Sequence, residues 1–210
     1  MALDHSQTQF SLPVHLGRTG AIGPALASLG ACAFGRQGAP LCHGMAIISD
    51  DCAALAADHS PLAGPAFDIL DDPVLSAMGL RLITSDAPSC TADSLALAAL
   101  LLRVGLLGRI LDLAHGHLKS RVSMGKKTLS HQLVKASFSD AYSVMRLCVE
   151  TAGLRHQTGD MAGLDFDHAR LTTATLEAEK LMGGHGYLIG GTHQWGYVSM
   201  LLQAIYGPRP

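Results

Sequence analysis

A chain of 210 residues and 22.0 kDa that is 48% apolar and only 15% charged can bury a large core, which excludes disorder over most of its length. Its 17 acidic and 15 basic side chains leave a formal charge of −2, without the excess of base that a nucleic-acid binder needs. The five cysteines, at 32, 42, 52, 90 and 148, include no Cys-x-x-Cys pair and fit neither a disulfide framework nor a zinc site. Reduced, partly buried thiols are the expectation. The apolar run over 95–102 is far shorter than the ~20 residues of a bilayer span. No basic segment followed by an apolar one opens the chain. A cytoplasmic protein without a membrane segment is expected.

Proline divides the chain. Seven of the nine prolines fall within residues 1–90, and none lies between Pro88 and Pro208. Proline breaks helices by removing a donor and clashing with the preceding turn, so the proline-free stretch suits a helical domain. Charge shifts at the same place: residues 1–90 carry a net −5 and residues 91–210 a net +3. Two regions, 1–90 and 91–210, are expected. In the first, Gly17, Gly20, Gly23, Gly30, Gly35 and Gly38 recur too often for a long undisturbed helix. Short β-like runs occupy 45–48 and Leu80–Thr84. Gly17, Gly20 and Gly23 lack the spacing of a dinucleotide-binding loop and suggest a loop or small-residue packing. This region is expected to be of mixed structure.

The second region reads as a four-helix bundle, which makes the protein mainly α. Asp93 or Ser94 caps a first helix running to about residue 120, with an apolar stripe through Leu95, Ala98, Leu102, Leu106, Ile110, Leu113 and Leu118. At 1.5 Å per residue it would be about 40 Å long. A loop at Gly125, Lys126 and Lys127 leads to a second helix over about 130–152, whose core face follows Val134, Phe138, Ala141, Met145 and Cys148. A polar connection is expected over 153–166. Asp167 then caps a third helix that stops at Gly183 and Gly184. A shorter fourth helix is expected over 194–206.

Within this region Arg121-Val122-Ser123-Met124-Gly125-Lys126, followed by Gln132, is similar to the R-x-Q-F-G-K-P-L-x-x-F-Q segment of the acyl-CoA dehydrogenase family. Leu181-Met182-Gly183-Gly184-His185-Gly186-Tyr187 resembles its L-x-G-G-x-G-Y, and Ile205-Tyr206 resembles the start of its I-Y-E-G-T. Three matches in order over residues 93–210 imply the family's C-terminal helical bundle, preceded here by a short, divergent region. The resemblance implies FAD bound across a subunit interface. Arg121 would meet the pyrophosphate with the planar donor fork of a guanidinium. Ser123, His131 and Gln132 match neighbouring flavin-contact positions, Lys180 stands where the family commonly has a Gln beside the adenine, and Gly183 and Gly184 match the turn approached by the adenosine half.

The departures from the family pattern bear on chemistry. The family's catalytic Glu corresponds to Gly207, and the alternative base position, on the first helix of the bundle, corresponds to Leu95. None of the three glutamates, Glu150, Glu177 and Glu179, matches either position. Of the family's D-x-x-R, Asp93 remains and Ala96 replaces the Arg. Ninety residues are also too few for the family's two preceding domains. Asp93 and His185 are the candidate acids or bases, with Tyr187, Tyr197 and Tyr206 near the family's substrate side, and an imidazole can exchange protons near neutral pH. His115 and His117, two apart on a helix, point to different sides and make no metal pair. The resemblance implies a shortened enzyme acting on an acyl thioester carried by CoA or a carrier protein, by flavin-linked oxidation or by redox-neutral proton transfer such as isomerisation or cyclisation. The alternatives are a subunit completing the flavin site of a full-length relative, or a redox-silent binding and assembly protein. A homodimer or dimer of dimers, or a hetero-complex with such a relative, is expected from the exposed aliphatic face that a bundle without its other domains would leave.

Overall fold

The computed structural model describes residues 5–62, 66–188 and 190–208. Helices α1 (His5–Thr19) and α2 (Ile22–Phe34) open the chain. Short strands β1 (Ala39–Pro40), β2 (Met45–Ser49), β3 (Ala54–Leu55), β4 (Asp68–Leu70) and β5 (Leu80–Thr84) follow, with the one-turn helix α3 (Pro73–Ala77) before β5. The second region holds α4 (Asp93–Leu118), the strands β6 (Val122–Ser123) and β7 (Lys126–Lys127), then α5 (Gln132–Thr158), α6 (Leu164–Glu179) and α7 (Thr192–Tyr206). The chain is thus mainly helical, and both β-like runs of the first region are strands. β2 and β5 pair antiparallel in the register Met45 to Thr84 through Ser49 to Leu80, and β4 lies on the far edge of β5.

The first region holds two short helices rather than one long one: Gly20 lies between α1 and α2 and Gly35, left-handed at φ 71°, ends α2, whereas Gly17 lets one helix close onto another. A Cβ on Gly17 would lie 2.7 Å from the carbonyl oxygen of Leu102 and 3.2 Å from Gly105 Cα, and one on Gly105 would collide with the carbonyl oxygen of Val14. α1 and α4 therefore cross backbone to backbone. Arg18 holds the crossing with a two-pronged pair to Asp112, Nε to Oδ2 and Nη2 to Oδ1, each at 2.8 Å. Arg109 donates to the carbonyls of Arg18 and Gly20 at the end of α1 and lies 4.2 Å over the Trp195 ring of α7. α4 is the axis of the molecule. Taken whole it is long and apolar enough to span a membrane, yet 89% of its most apolar window is buried inside the protein.

Helix boundaries differ from the sequence expectation at several points: Ala92, not Asp93 or Ser94, is the N-cap of α4 and no side chain caps it, and α6 ends at Glu179 rather than at Gly183. α5 runs through Gly153, a helical position that costs roughly 1 kcal/mol against Ala, and ends where Gly159 turns left-handed (φ 73°) and donates to the Arg155 carbonyl at 2.8 Å. The expected 153–166 connection shrinks accordingly. α6 begins at Leu164 behind Gly163, so Asp167 does not cap it. Buried instead, the Asp167 carboxylate accepts from Arg155 Nη1 at 2.5 Å and Thr151 Oγ1 at 2.8 Å, tying α6 to α5.

One part of the core joins α2, the sheet, the first half of α4 and the last turns of α7, from Ala25 to Tyr206. The other fills the space between α4, α5 and α6. The thiols of Cys52 and Cys148 sit in these layers, and burial pushes both up to about 11, so neither is a reactive nucleophile at neutral pH. Between α4, α6 and α7 lies Arg103, fully buried. Its Nε donates to Ser199 Oγ at 3.1 Å, Nη2 to Thr172 Oγ1 at 2.6 Å, and Nη1 to His168 Nδ1 at 2.8 Å and the His168 carbonyl at 3.2 Å. Because Nδ1 accepts, Nε2 carries the ring proton and donates to the Ala96 carbonyl at 3.1 Å. Burial, reinforced by Arg103, lowers the His168 pKa from 6.5 to about 4.

A neutral buried histidine makes the fold acid-sensitive. The unfolded chain takes up a proton at His168 from about pH 6.5 downward, while the folded chain resists until about pH 4. Stability from this group is complete above the first value and is lost between the two. It amounts to about 3 kcal/mol. Urea unfolding at pH 7 and pH 4.5 should register most of that loss, and His168→Gln should flatten the profile.

Candidate functional site

The far end of α4 carries the residues matched to a flavin-binding motif. β6 and β7 form a hairpin with Met124 (φ 51°) and Gly125 (φ 73°) at its tip. Every residue from 119 to 127 is exposed, Met124 by 93%. The His131 ring closes the base of the hairpin, with Nε2 3.1 Å from the Ser123 carbonyl, and Gln132 opens α5 beside it on the surface. Between Asp112 and Asp140 there is no acid, whereas Lys119, Arg121, Lys126, Lys127 and Lys135 all fall in that interval. Such a one-signed projection attracts anions.

The turn after α6 supplies the second wall. Lys180–Tyr187 winds as a 3-10 helix broken at Gly183, whose φ of 55° and ψ of −142° favour a residue without Cβ. Gly183 and Gly184 are exposed, and an added Cβ on either would meet nothing within 4 Å. The Lys180 ammonium pairs with Glu177 at 2.6 Å on the outer face. His185 lies with its ring 4.7 Å from that of His117, near the end of α4. Burial, then Arg121 and His185, lower the His117 pKa. The His117 Nε2 is buried with no hydrogen-bond partner. An unpaired buried imidazole nitrogen beside Arg121, next to a hairpin whose sequence from 113 to 139 holds no acid, suits a phosphate-bearing group. The residues present therefore fit the pyrophosphate of FAD.

The structure does not bring the two candidate acid–base residues together. Asp93 is exposed at the first residue of α4, 24 residues before His117, which is ~36 Å along a helix. His185 lies at the opposite end, so the pair cannot act on one substrate atom. Leu95 and Gly207 do share the Asp93 end: Leu95 packs in the same core as Ile205 and Tyr206, and Gly207 follows α7 directly. The tyrosines are poorly placed as bases. Tyr206 is buried, and burial pushes its phenol far above the ordinary range. Tyr197 donates to Asp72 Oδ2 at 2.5 Å, a bond that with burial raises it to about 12.

Glu179 belongs to no sequence motif, yet it is the half-buried carboxylate of this end. Its Oε2 lies 3.1 Å from His193 Nδ1, and the His193 ring lies 4.7 Å from that of Tyr187. Burial raises its pKa and His193 opposes the rise. Gly196 makes the room, since a Cβ there would collide with Glu179 Oε1. The only sequence trace of this arrangement is a glycine in the middle of a short helix.

No protein-family model matches the chain, and no curated protein is significantly similar to it in sequence. Solved structures are similar in fold. One is a chain of the ChsE4-ChsE5 complex from Mycobacterium tuberculosis, 14% identical with a TM-score of 0.55, the match covering 95% of this chain and 76% of that one. A second is butyryl-CoA dehydrogenase from Megasphaera elsdenii, 16% identical with a TM-score of 0.52, over 70% of this chain and 47% of that one. A third is glutaryl-CoA dehydrogenase from Mycobacterium smegmatis in complex with FADH2, 12% identical with a TM-score of 0.51, over 70% of this chain and 46% of that one. The chain spans about half the length of these two dehydrogenases.

Proposed function

We propose that this chain, which has the fold of the acyl-CoA dehydrogenases, is a subunit that holds FAD at its hairpin end and works on an acyl thioester once a second polypeptide covers the flavin. The observation that carries this reading is the unpaired His117 Nε2, which feels Arg121 at the acid-free hairpin and has its ring 4.7 Å from that of His185 on the turn after α6. Arg121 would hold the pyrophosphate, Ser123, His131 and Gln132 would line the flavin side, and Lys180, Gly183 and Gly184 would lie along the adenosine half. FAD, when bound, supplies a hydride acceptor for the thioester's acyl carbons. The chain's own part is to bind and orient. The second polypeptide is another copy or a longer relative, and the likeness to a chain of the ChsE4-ChsE5 complex, which spans nearly the whole of this chain, supports pairing with a different polypeptide.

The protein purified alone should carry some flavin, visible near 450 nm, and more when co-expressed with a longer relative. Colourless protein in both cases, with no flavin taken up on addition, would leave the redox-silent assembly role. Arg121→Ala should weaken FAD by about 1.5–3 kcal/mol, the scale of a charge-assisted hydrogen bond, and Arg121→Lys should restore only part because the fork is lost. Equal flavin retention by all three proteins would remove Arg121 from the site.

A further inference from the structure

We infer that anion binding at the hairpin end is proton-linked, with the paired imidazoles of His117 and His185 taking up a proton as a pyrophosphate settles on Arg121. This rests on the reading above that Arg121 meets a phosphate-bearing ligand. The rings lie 4.7 Å apart and tilted by 46°, close enough for a charge on one to oppose a charge on the other. The charged and titratable groups facing His117 are Arg121 from the hairpin and His185 from the turn. Both act against its protonation, and among the described residues no carboxylate offsets them. His131, from the start of α5, is already engaged with the Ser123 carbonyl. His117 Nε2 has no partner within the chain.

An arriving pyrophosphate changes each of these circumstances. Its negative charge cancels the repulsion from Arg121 and rewards protonation of either ring. Its oxygens provide the acceptor that a protonated Nε2 lacks. His185 is exposed, on the turn between the exposed Gly184 and the buried Gly186. By linkage, a ligand that causes proton uptake binds more tightly as pH falls. For one proton near the ordinary histidine range, affinity should rise about tenfold from about pH 8 to about pH 6.

Calorimetric titration of the full chain with FAD, and separately with ADP-ribose, in two buffers of different ionisation enthalpy, reads both affinity and proton uptake. The pyrophosphate diester of either ligand does not itself titrate in this range. Tighter binding at the lower pH with net uptake of protons is expected for both ligands. His185→Gln and His117→Gln should each reduce that uptake, and His185, being exposed, can be changed without disturbing the core. Arg121→Ala should weaken binding at both pH values. Binding of either ligand without uptake, equally tight at both pH values, overturns the inference while leaving the flavin reading intact. ADP-ribose bound with uptake but FAD not bound sinks the flavin reading and keeps the inference. Failure of both ligands to bind overturns both.

Discussion

Arg103→Ala is expected to lower the unfolding free energy by about 3–5 kcal/mol, the loss of a large buried side chain compounded by stranded acceptors. For a chain of this length that corresponds to a fall in Tm of about 10 °C. The guanidinium is surrounded by His168, Thr172 and Ser199, none of them anionic, and burial lowers its pKa to about 10 without discharging it at neutral pH. Removing it leaves a void along α4 and strips His168 Nδ1 and the Ser199 hydroxyl of their donor. Arg103→Lys should cost nearly as much, because one ammonium cannot reach three partners on two helices. A loss under 1 kcal/mol for the alanine variant would mean that the neighbours collapse into the gap and rebond.

The second large effect concerns turnover. With butyryl- or octanoyl-CoA and an artificial electron acceptor, the chain should dehydrogenate at least about 10²–10⁴ more slowly than an enzyme with a positioned base, the usual contribution of general base catalysis. The resemblance implies Gly207 and Leu95 at both positions where that family keeps its base. Restoring a carboxylate should not rescue activity, and the structure says why. Leu95 is 1% exposed within the apolar core, so Leu95→Glu would bury an unpaired charge and destabilise the fold. A Cβ on Gly207 would stand 2.5 Å from the Gln203 carbonyl oxygen, so Gly207→Glu would push away the last turn of α7. Turnover by the unaltered chain at ordinary enzyme rates would overturn this expectation and put a base elsewhere, with Asp93 the nearest carboxylate on that end of α4.

The bundle was legible because its signals were local. The extent of α4, the 45–48 and Leu80–Thr84 runs and the arrest of α7 at residue 206 follow from apolar runs and from Gly and Pro, although α4 shows no single stripe: residues 95–108 are all buried and Leu113 is exposed. The sequence was ambiguous or misleading where a residue's role is tertiary. Of the two readings of Gly17, a loop or small-residue packing, the second holds, because its partner across the helix crossing is Gly105 of α4. Asp167 has the look of a cap, yet its carboxylate faces Arg155 on the preceding helix. Of the site, the hairpin residues were legible as a motif. The pairing of His117 with His185 was not, since 68 positions separate them and only the return of α6 along α4 makes them neighbours.

The core that joins Ala25 and Leu29 to Val198, Leu202 and Tyr206 also dictates when the protein can fold during its manufacture. α2 and the sheet leave the ribosome well before α7, which completes their covering. At about 5–20 residues per second, the early apolar surface waits about 10–30 s for its partner. The apolar face of α2 and the sheet is therefore at risk of aggregation until α7 is made, and emergence of α7, not of the early helices, is the event that allows this core to close.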